Sequence, residues 1–318
     1  MQNIRNKFNN ILVSGASGDI GIGIGRILKA SGFNKVFGCD INTDSWGLCI
    51  FENIAEVPRA DSAGYIEKLI GLIAAYKIDL FIPSSEAEIK ALIDTNNISE
   101  AELGCQILMA DQSTIKISLD KYDTSVFLKE HNLNSPWTVV AGQGWPKSLP
   151  CIFKPRSGQG SKGLEIVKES ERVRELSNKE GYIFQELLSP DEEEYTCGVY
   201  RSKRGEIRAI LIKRTLNGGF TGKGTVVENK DIEDYVNEIA EALNVVGAIN
   251  LQLRLTDHGP FLFEINPRLS STVVFRHKLG FEDLLWALEE LAGLPLRTYN
   301  KPKEGTQFYR GLSEYFIK

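Results

Sequence analysis

Between Gly247 and Arg268 the chain carries two apolar runs, Ala248 to Leu255 and Phe261 to Ile265, separated by Gly259-Pro260. Short apolar runs bounded by turn residues specify strands, and the break between them specifies a β-hairpin. Strict alternation then sorts the side chains. Asn250 and Gln252 share a face of the first strand. In the second, Phe261, Phe263 and Ile265 take one face, and Leu262, Glu264 and Asn266 the other. Two oxygen-bearing side chains, Glu264 and Asn266, thus sit together on an otherwise greasy strand, with Gln252 available from its partner. A carboxylate in such a setting requires a compensating cation, because burying an unpaired charge is costly. Oxygen-only donors suit a hard ion, Mg²⁺ or Mn²⁺ before zinc. The residues also admit a plainer arrangement, in which Glu264 pairs with Arg268 and Asn266 merely precedes a proline turn.

The remaining composition is that of an ordinary soluble chain. Its 318 residues are 42% hydrophobic and 25% charged, enough for two or three subdomains around a well-buried core. The net charge of −5 argues against a general nucleic-acid or anionic-membrane binder. No apolar run approaches a membrane span, and the opening Met1 to Phe8 lacks the apolar core of a signal peptide, so a cytoplasmic location is expected. Five scattered cysteines, at 39, 49, 105, 151 and 197, frame neither a disulfide scaffold nor a zinc pair. The histidines at 131, 258 and 277 are equally dispersed and read as structural or surface residues.

In the N-terminal third, Ile11 to Val13 leads through Ser14-Gly15-Ala-Ser-Gly18-Asp-Ile-Gly21 into an apolar helical stretch that Gly32 stops, followed by a strand from Val36 to Asp40. Gly15, Gly18 and Gly21 followed by Asp40 trace the outline of a dinucleotide fingerprint, and the turn resembles that of the short-chain dehydrogenases. Their Tyr-x-x-x-Lys catalytic pair is matched only by Tyr299 and Lys303, with Pro302 between them, which a helix interior tolerates poorly. Two other readings remain: a turn that approaches a substrate, or glycines needed only for close strand-to-helix packing. A helix from Tyr65 to Lys77 and a strand from Ile78 to Pro83 repeat the strand-helix unit, which implies a parallel sheet with ligands beyond its carboxyl ends. Ser84, Ser85 and Glu86 lie at such an end, where they either meet a substrate or cap the helix from Ala87 to Asp94.

Further on, Cys151-Ile-Phe-Lys154-Pro-Arg-Ser157-Gly158-Gln-Gly160-Ser-Lys-Gly163 again spells a G-x-G-x-x-G pattern, but Leu164 to Val167 continues it as a strand. A dinucleotide fold requires a helix there. A glycine loop at a hairpin tip suits a flap over phosphates, because glycine lets backbone amides approach phosphate oxygens without an intervening Cβ. Lys154, on the incoming strand, is placed to neutralise a phosphate. Tyr182 to Leu188 reads as a strand, Tyr195 to Tyr200 and Glu206 to Arg214 as a hairpin, and Asn217 to Gly224, by its glycine content, as a flexible loop. Helices are expected over Ile232 to Leu243 and Phe281 to Ala292, with an edge strand in the tail from Lys301.

Taken in order, Asp120-Lys121 ahead of a helix, Lys154 with its glycine loop, Gln185-Glu186, Glu194-Tyr-Thr, Asn250-Leu-Gln252 and Phe263-Glu264-Ile-Asn266-Pro-Arg268 resemble the ATP-grasp superfamily, in the branch of the carbamoyl-phosphate-synthetase-like carboxylate-amine ligases. The resemblance implies an α/β chain: an N-terminal open parallel-sheet domain, residues 1–110, then an α+β ATP-grasp module, residues 111–318, with a small lid at about 136–186. It implies that Lys121, Lys154, Ser157, Gly158, Gly160 and Gly163 meet the ATP phosphates. It also implies that Glu186, Leu187 and Leu188 meet adenine, and that Glu194, or Glu193 beside it, binds ribose. Gln252, Glu264 and Asn266 would hold Mg²⁺ (or Mn²⁺), while Arg268, with Lys213 and Arg214, would meet the transferred phosphate or an anionic substrate. The implied activity is ATP-dependent coupling of a small-molecule carboxylate to an amine through an acyl phosphate, without nucleic acid or membrane and with a homodimer possible by analogy. The competing classes are a nicotinamide-dependent oxidoreductase, resting on Gly15 to Asp40, and a non-catalytic nucleotide-binding module.

Overall fold

A computed structural model describes residues 2–94, 98–158 and 163–316. After a short helix α1 (Gln2–Lys7), the chain alternates strands β1 (Asn10–Ser14), β2 (Lys35–Asp40), β3 (Ile54–Glu56), β4 (Leu80–Ile82) and β5 (Gln106–Ile107) with helices α2 (Asp19–Ala30), α3 (Tyr65–Tyr76), α4 (Glu86–Asp94) and α5 (Glu100–Leu103). All five strands are parallel, in the order β3-β2-β1-β4-β5. The order reverses between β1 and β4, so their carboxyl ends, Ser14 and Ser84, border the crevice where open α/β sheets collect ligands. The strands expected from the pattern are present. Two short ones, β3 and β5, carried too few apolar residues to be read.

Helices α6 (Gln112–Leu119) and α7 (Lys121–Glu130) follow, hinged at Asp120, whose carboxylate accepts from Tyr122 N at 2.8 Å and Asp123 N at 3.3 Å and so caps α7. A small antiparallel sheet, β6-β9-β7-β8, comes next, from β6 (Thr138–Val140), β7 (Cys151–Pro155), β8 (Glu165–Val167) and β9 (Tyr182–Glu186). Helix α8 (Ser170–Leu176) covers it, burying Val173 and Leu176 against Cys151, Phe153, Val167 and Phe184. As expected, β7 and β8 are the two sides of an antiparallel hairpin around the glycine segment. Gly160 lies outside the described residues.

The rest forms a six-stranded antiparallel sheet, β14-β13-β10-β11-β12-β15. Its members are β10 (Glu194–Arg201), β11 (Ile207–Asn217), β12 (Phe220–Val226), β13 (Gly247–Thr256), β14 (Gly259–Asn266) and β15 (Gln307–Tyr309), the last being the edge strand expected in the tail. Helix α9 (Lys230–Ala242) lies on one face, where Ile232, Val236 and Ile239 join Cys197, Val199, Leu211 and Leu251. The other face meets α10 (Val273–Lys278), α11 (Asp283–Leu291) and the first sheet, where Tyr200, Ile210 and Ile212 share a core with Ile24, Val273 and Trp286. Strands β10 and β11 are therefore buried on both sides. That explains their near-continuous apolar runs.

Two sequence expectations change. Asn217 to Gly224 is a hairpin and not a flexible loop: Gly218 (φ +60°) and Gly219 (φ +84°) turn the chain, and β12 pairs with β11 on one side and β15 on the other. Glycine there serves turn geometry and close packing. A Cβ on Gly224 would lie 2.3 Å from the Phe308 ring. The strict alternation assigned to β14 also fails. Gln252 pairs with Glu264 and Leu253 with Leu262, so Phe263 is an extra residue in a bulge. As a result Leu262 and Ile265 both enter the core, while Phe263 and Glu264 both face a cavity.

Candidate active site

A cavity opens between the small sheet and the six-stranded sheet, and the register just described aims the charged residues of both into it. From β7 come Lys154 and the apolar Ile152; from the glycine segment, Gly158; from β9 and beyond, Gln185, Glu186 and Leu188; from the large sheet, Glu194, Arg214, Gln252, Arg254, Phe263 and Glu264. Lys121 reaches it from the first turn of α7.

The small sheet is pinned at this point. Arg156, just past β7, forks onto the Asp120 carboxylate with Nε at 3.1 and 2.8 Å, and Lys121 N donates to Arg156 O at 2.9 Å. Lys121 Nζ in turn donates to Gly158 O at 2.8 Å and lies 3.4 Å from Glu264 Oε1. Lys154 is 7% exposed, and its ammonium lies 5.8 Å from the centre of the Phe263 ring. Burial pushes its pKa down to about 8, with Glu264 raising it and Lys121 lowering it further. Two cations thus converge near one carboxylate.

A second network occupies the other end. Glu194 Oε1 accepts from Arg214 Nε (2.9 Å) and Nη2 (2.7 Å), and its Oε2 accepts from Arg254 Nη2 (2.7 Å). Arg214 Nη2 also donates to Gln252 Oε1 at 2.7 Å, and Arg254 Nη1 to Leu188 O at 2.7 Å. Between the two networks, Ile152, Leu164, Leu188 and Phe263 supply an apolar wall. The cavity therefore offers flat apolar surface beside four cationic side chains and three carboxylates, a setting for a ring joined to a polyanion.

Of the residues singled out from sequence, Lys121, Lys154, Gly158, Glu186, Glu194, Leu188, Arg214, Gln252 and Glu264 line this one cavity. Others lie elsewhere. Gly163 (φ +73°) sits under the Tyr182 hydroxyl at the base of the β8 strand, and Leu187 does not line the cavity. Ser157 lines an adjoining cleft with Gly158, Glu86 and Tyr65. Lys213, one residue from Arg214, points to the opposite face of β11 and pairs with Glu193, which also accepts from the Tyr195 hydroxyl at 2.6 Å. Glu194, and not Glu193, is the acid that faces inward. Arg268 is buried and lines a different cavity, with Tyr200 and Ala248, its Nη2 2.9 Å from Glu86 Oε1.

This last pair ties the large sheet to the carboxyl end of the parallel sheet. Burial raises the Glu86 pKa, Arg268 and Lys121 lower it, and Glu264 raises it. Of the two roles open to the segment 84–86, capping belongs to Ser85, which exchanges hydrogen bonds with Glu88. Glu86 is left for Arg268. Sequence reasoning missed Arg254 and Phe263 in the cavity: the first is an ordinary strand cation by pattern, and the second was misphased by the bulge.

The N-terminal glycine turn is built differently. A Cβ at Gly15 (φ +59°) would lie 2.2 Å from Ser84 Oγ, and one at Gly21 would lie 2.2 Å from Gly15 O. The Asp40 carboxylate accepts from Ser17 N at 2.9 Å and Asn42 N at 3.0 Å, so it braces its own turn. Among the described residues, no helix is long and apolar enough to cross a membrane.

Comparison with known proteins bears on the fold. Residues 180–310 match a family model described as ATP-grasp in the biosynthetic pathway with Ter operon. The N5-carboxyaminoimidazole ribonucleotide synthetase from Thermus thermophilus superposes with a TM-score of 0.72 at 17% identity, over 93% of this chain and 81% of that one. A biotin carboxylase from Campylobacter jejuni, solved as a β-γ-ATP complex, gives 0.73 at 14% identity over 96% and 75%. The carboxyaminoimidazole ribonucleotide synthase from Aspergillus clavatus, complexed with ATP, gives 0.74 at 12% identity over 96% and 81%. The chain thus has the ATP-grasp fold, an N-terminal parallel sheet followed by an antiparallel-sheet module, and over residues 180–310 it matches an ATP-grasp family.

Proposed function

We propose that this protein is an ATP- and Mg²⁺-dependent ligase that phosphorylates a substrate carboxylate and couples the acyl phosphate to an amine. The observation that carries the reading is the convergence of Lys121 and Lys154 near Glu264, beside an apolar wall, in a cavity lined by Gly158 and Leu164 of the glycine segment. ATP-binding structures of the same fold support it.

In this reading the adenine lies against Ile152, Leu164, Leu188 and Phe263 near the chain at 186–188, and Glu194 accepts from ribose hydroxyls while Arg214 and Arg254 hold it in place. The triphosphate runs toward Lys121 and Lys154, under the hairpin that carries Ser157, Gly158, Gly160 and Gly163. Gln252 and Glu264 are cross-strand partners, and Asn266 follows two residues after Glu264. All three carry oxygen donors; Gln252 Oε1 accepts from Arg214 Nη2 at 2.7 Å, a bond that a cation there would displace, and Asn266 is buried at the end of β14. The set fits a hard divalent cation. Mg²⁺ bound there would offset charge on the β- and γ-phosphates.

A substrate carboxylate oxygen attacks the γ-phosphorus and ADP departs, giving an acyl phosphate; the amine nitrogen then attacks the acyl carbon, releasing phosphate and a proton. Catalysis by this chain is positioning and charge stabilisation. Arg268, held by Glu86, is the cation on the acceptor side, while Arg214, bound to Glu194 and Gln252, belongs to the ribose end. Lys213, paired with Glu193 on the far face, has no part in this scheme. The test is phosphate release from ATP in the presence of Mg²⁺ with a panel of carboxylates and amines, alongside thermal unfolding. Mg-ATP should raise the unfolding midpoint, chelation should reverse the rise, and release should require both organic substrates. Stabilisation by NAD(P) in place of Mg-ATP would sink the reading.

A further inference from the structure

Beyond the cavity, a wide cleft runs between α2, the short 3₁₀ turn at Trp46–Cys49 and the hairpin of β11 and β12. Leu216 lines both spaces. Thr215, next along β11 after Arg214, and Ser271, three residues past Arg268, also line it. The chain's own C-terminal segment builds the outer wall. Arg310 bonds Asp19 Oδ1 at 2.6 Å and Ser271 O at 2.8 Å, and Tyr315 stacks on Trp46 with ring centres 4.2 Å apart.

The charges of this groove are one-sided. Asp19 is the only carboxylate lining it among the described residues, and Arg310 neutralises it. Arg26 from α2, Lys278 from the end of α10 and Lys223 from β12 also line it, and none of them pairs with a carboxylate among the described residues; Lys223 lies 5.5 Å over the Tyr309 ring. Between these cations the walls are aromatic and unusually open: Trp46 is 37% exposed and Phe220 50%. A concave surface of one sign concentrates ligands of the other, and exposed rings offer flat faces on which an apolar or aromatic body stacks.

We propose that this groove is the acceptor-substrate site, and that it takes a small molecule with a flat apolar body and an anionic group, phosphate or carboxylate, enclosed on one side by the C-terminal segment. The acceptor role rests on reading the adjoining cavity as the nucleotide site. The anionic group meets Arg26, Lys223 and Lys278, the ring stacks beside Trp46, and the reacting end reaches past Ser271 toward Arg268.

Calorimetry with 1-naphthyl phosphate, 1-naphthoate and the neutral 1-naphthol tests this on the full chain, as wild type, as the Arg26→Ala/Lys278→Ala double variant and as Trp46→Ala. At least one anionic probe should bind the wild type tenfold or more tightly than naphthol, and which anion is preferred identifies the group. The double variant should lose that preference, and Trp46→Ala should weaken all three probes at least threefold. Mg-ATP stabilisation should persist in every variant. Equal binding of naphthol, a preference retained in the double variant, or no binding of any probe overturns the groove as an anion site. Absence of Mg-ATP stabilisation in the wild type overturns instead the nucleotide reading, and with it the acceptor role.

Discussion

The chain carries two glycine segments of nearly the same spelling, and the structure uses them in opposite ways. At Gly15 to Gly21 the glycines are packing residues: one would strike Ser84 and another a backbone carbonyl if each carried a Cβ, and the nearby acid, Asp40, is spent on the turn's own amides. At Gly158 a Cβ would meet none of the described residues within 4 Å, and the surroundings are Lys121, Lys154 and Glu264 facing a cavity. Glycine spacing therefore identifies a place where backbone comes close to something. Whether that something is the protein or a ligand is decided by empty space and by charges whose partners are incomplete.

The largest expected effect that would break this contrast is at Glu264. Glu264→Ala should lower ATP turnover by about three orders of magnitude, the scale of losing an electrostatic element of a transition-state site, with a thermal midpoint near that of the wild type. Retained turnover with unchanged metal dependence would remove the carboxylate from the site. Next in size is the packing side of the comparison. Gly21→Ala places a methyl against Gly15 O and should cost about 3 kcal/mol in denaturant unfolding, the range of overpacking in a tight core, while nucleotide affinity of the folded fraction stays unchanged. Loss of affinity with intact stability would reverse the two roles. Gly158→Ala should do the opposite, weakening nucleotide binding at a cost of only about 1 kcal/mol for the left-handed backbone (φ +120°).

Lys154 sharpens the same comparison through stability. Its pKa falls from 10.5 to about 8 on burial, so the unfolded chain holds a proton that the folded chain releases between those values, and the free protein gains stability as pH rises through that window. Lys154→Met should therefore stabilise the free protein at pH 7 by up to about 3 kcal/mol, taking about 1.4 kcal/mol per pKa unit, while removing the stabilisation by Mg-ATP. A destabilised variant would mean that the lysine is an integral part of the fold. The smallest effect is on pH dependence of binding. A phosphate needs the charged lysine, so nucleotide affinity should hold below pH 8 and fall by as much as about tenfold per unit above it. Calorimetry at pH 7, 8 and 9 measures this, and Lys154→Arg, which stays charged, should flatten the profile.

Much of the site was legible because strand period and residue type are local properties. Lys154 on an apolar strand before glycines, and the oxygen-bearing Gln252 and Glu264 on the two strands of one hairpin, were read from strand pattern, whereas Glu194, with Glu193 left open beside it, came from the family resemblance; all reach one cavity. Where the pattern broke, sequence failed for an identifiable reason. The bulge at Phe263 exchanges faces without any marker in its residues, and Asn217 to Gly224 has a loop's composition because β15, about eighty residues later, needs glycine to pack against.

By itself the sequence determined the kinds of element, their order, and the oxygen and ammonium groups available for a nucleotide and a hard ion, since these depend on neighbours along the chain. Only the tertiary structure decided which of those groups share a space. It turned Arg214 inward and Lys213 outward, tied Arg268 to Glu86 from the other sheet, and folded the C-terminal segment over α2 to make a second, cationic groove. These choices rest on contacts between residues up to nearly three hundred positions apart, as between Asp19 and Arg310, and no local pattern encodes a partner at that distance.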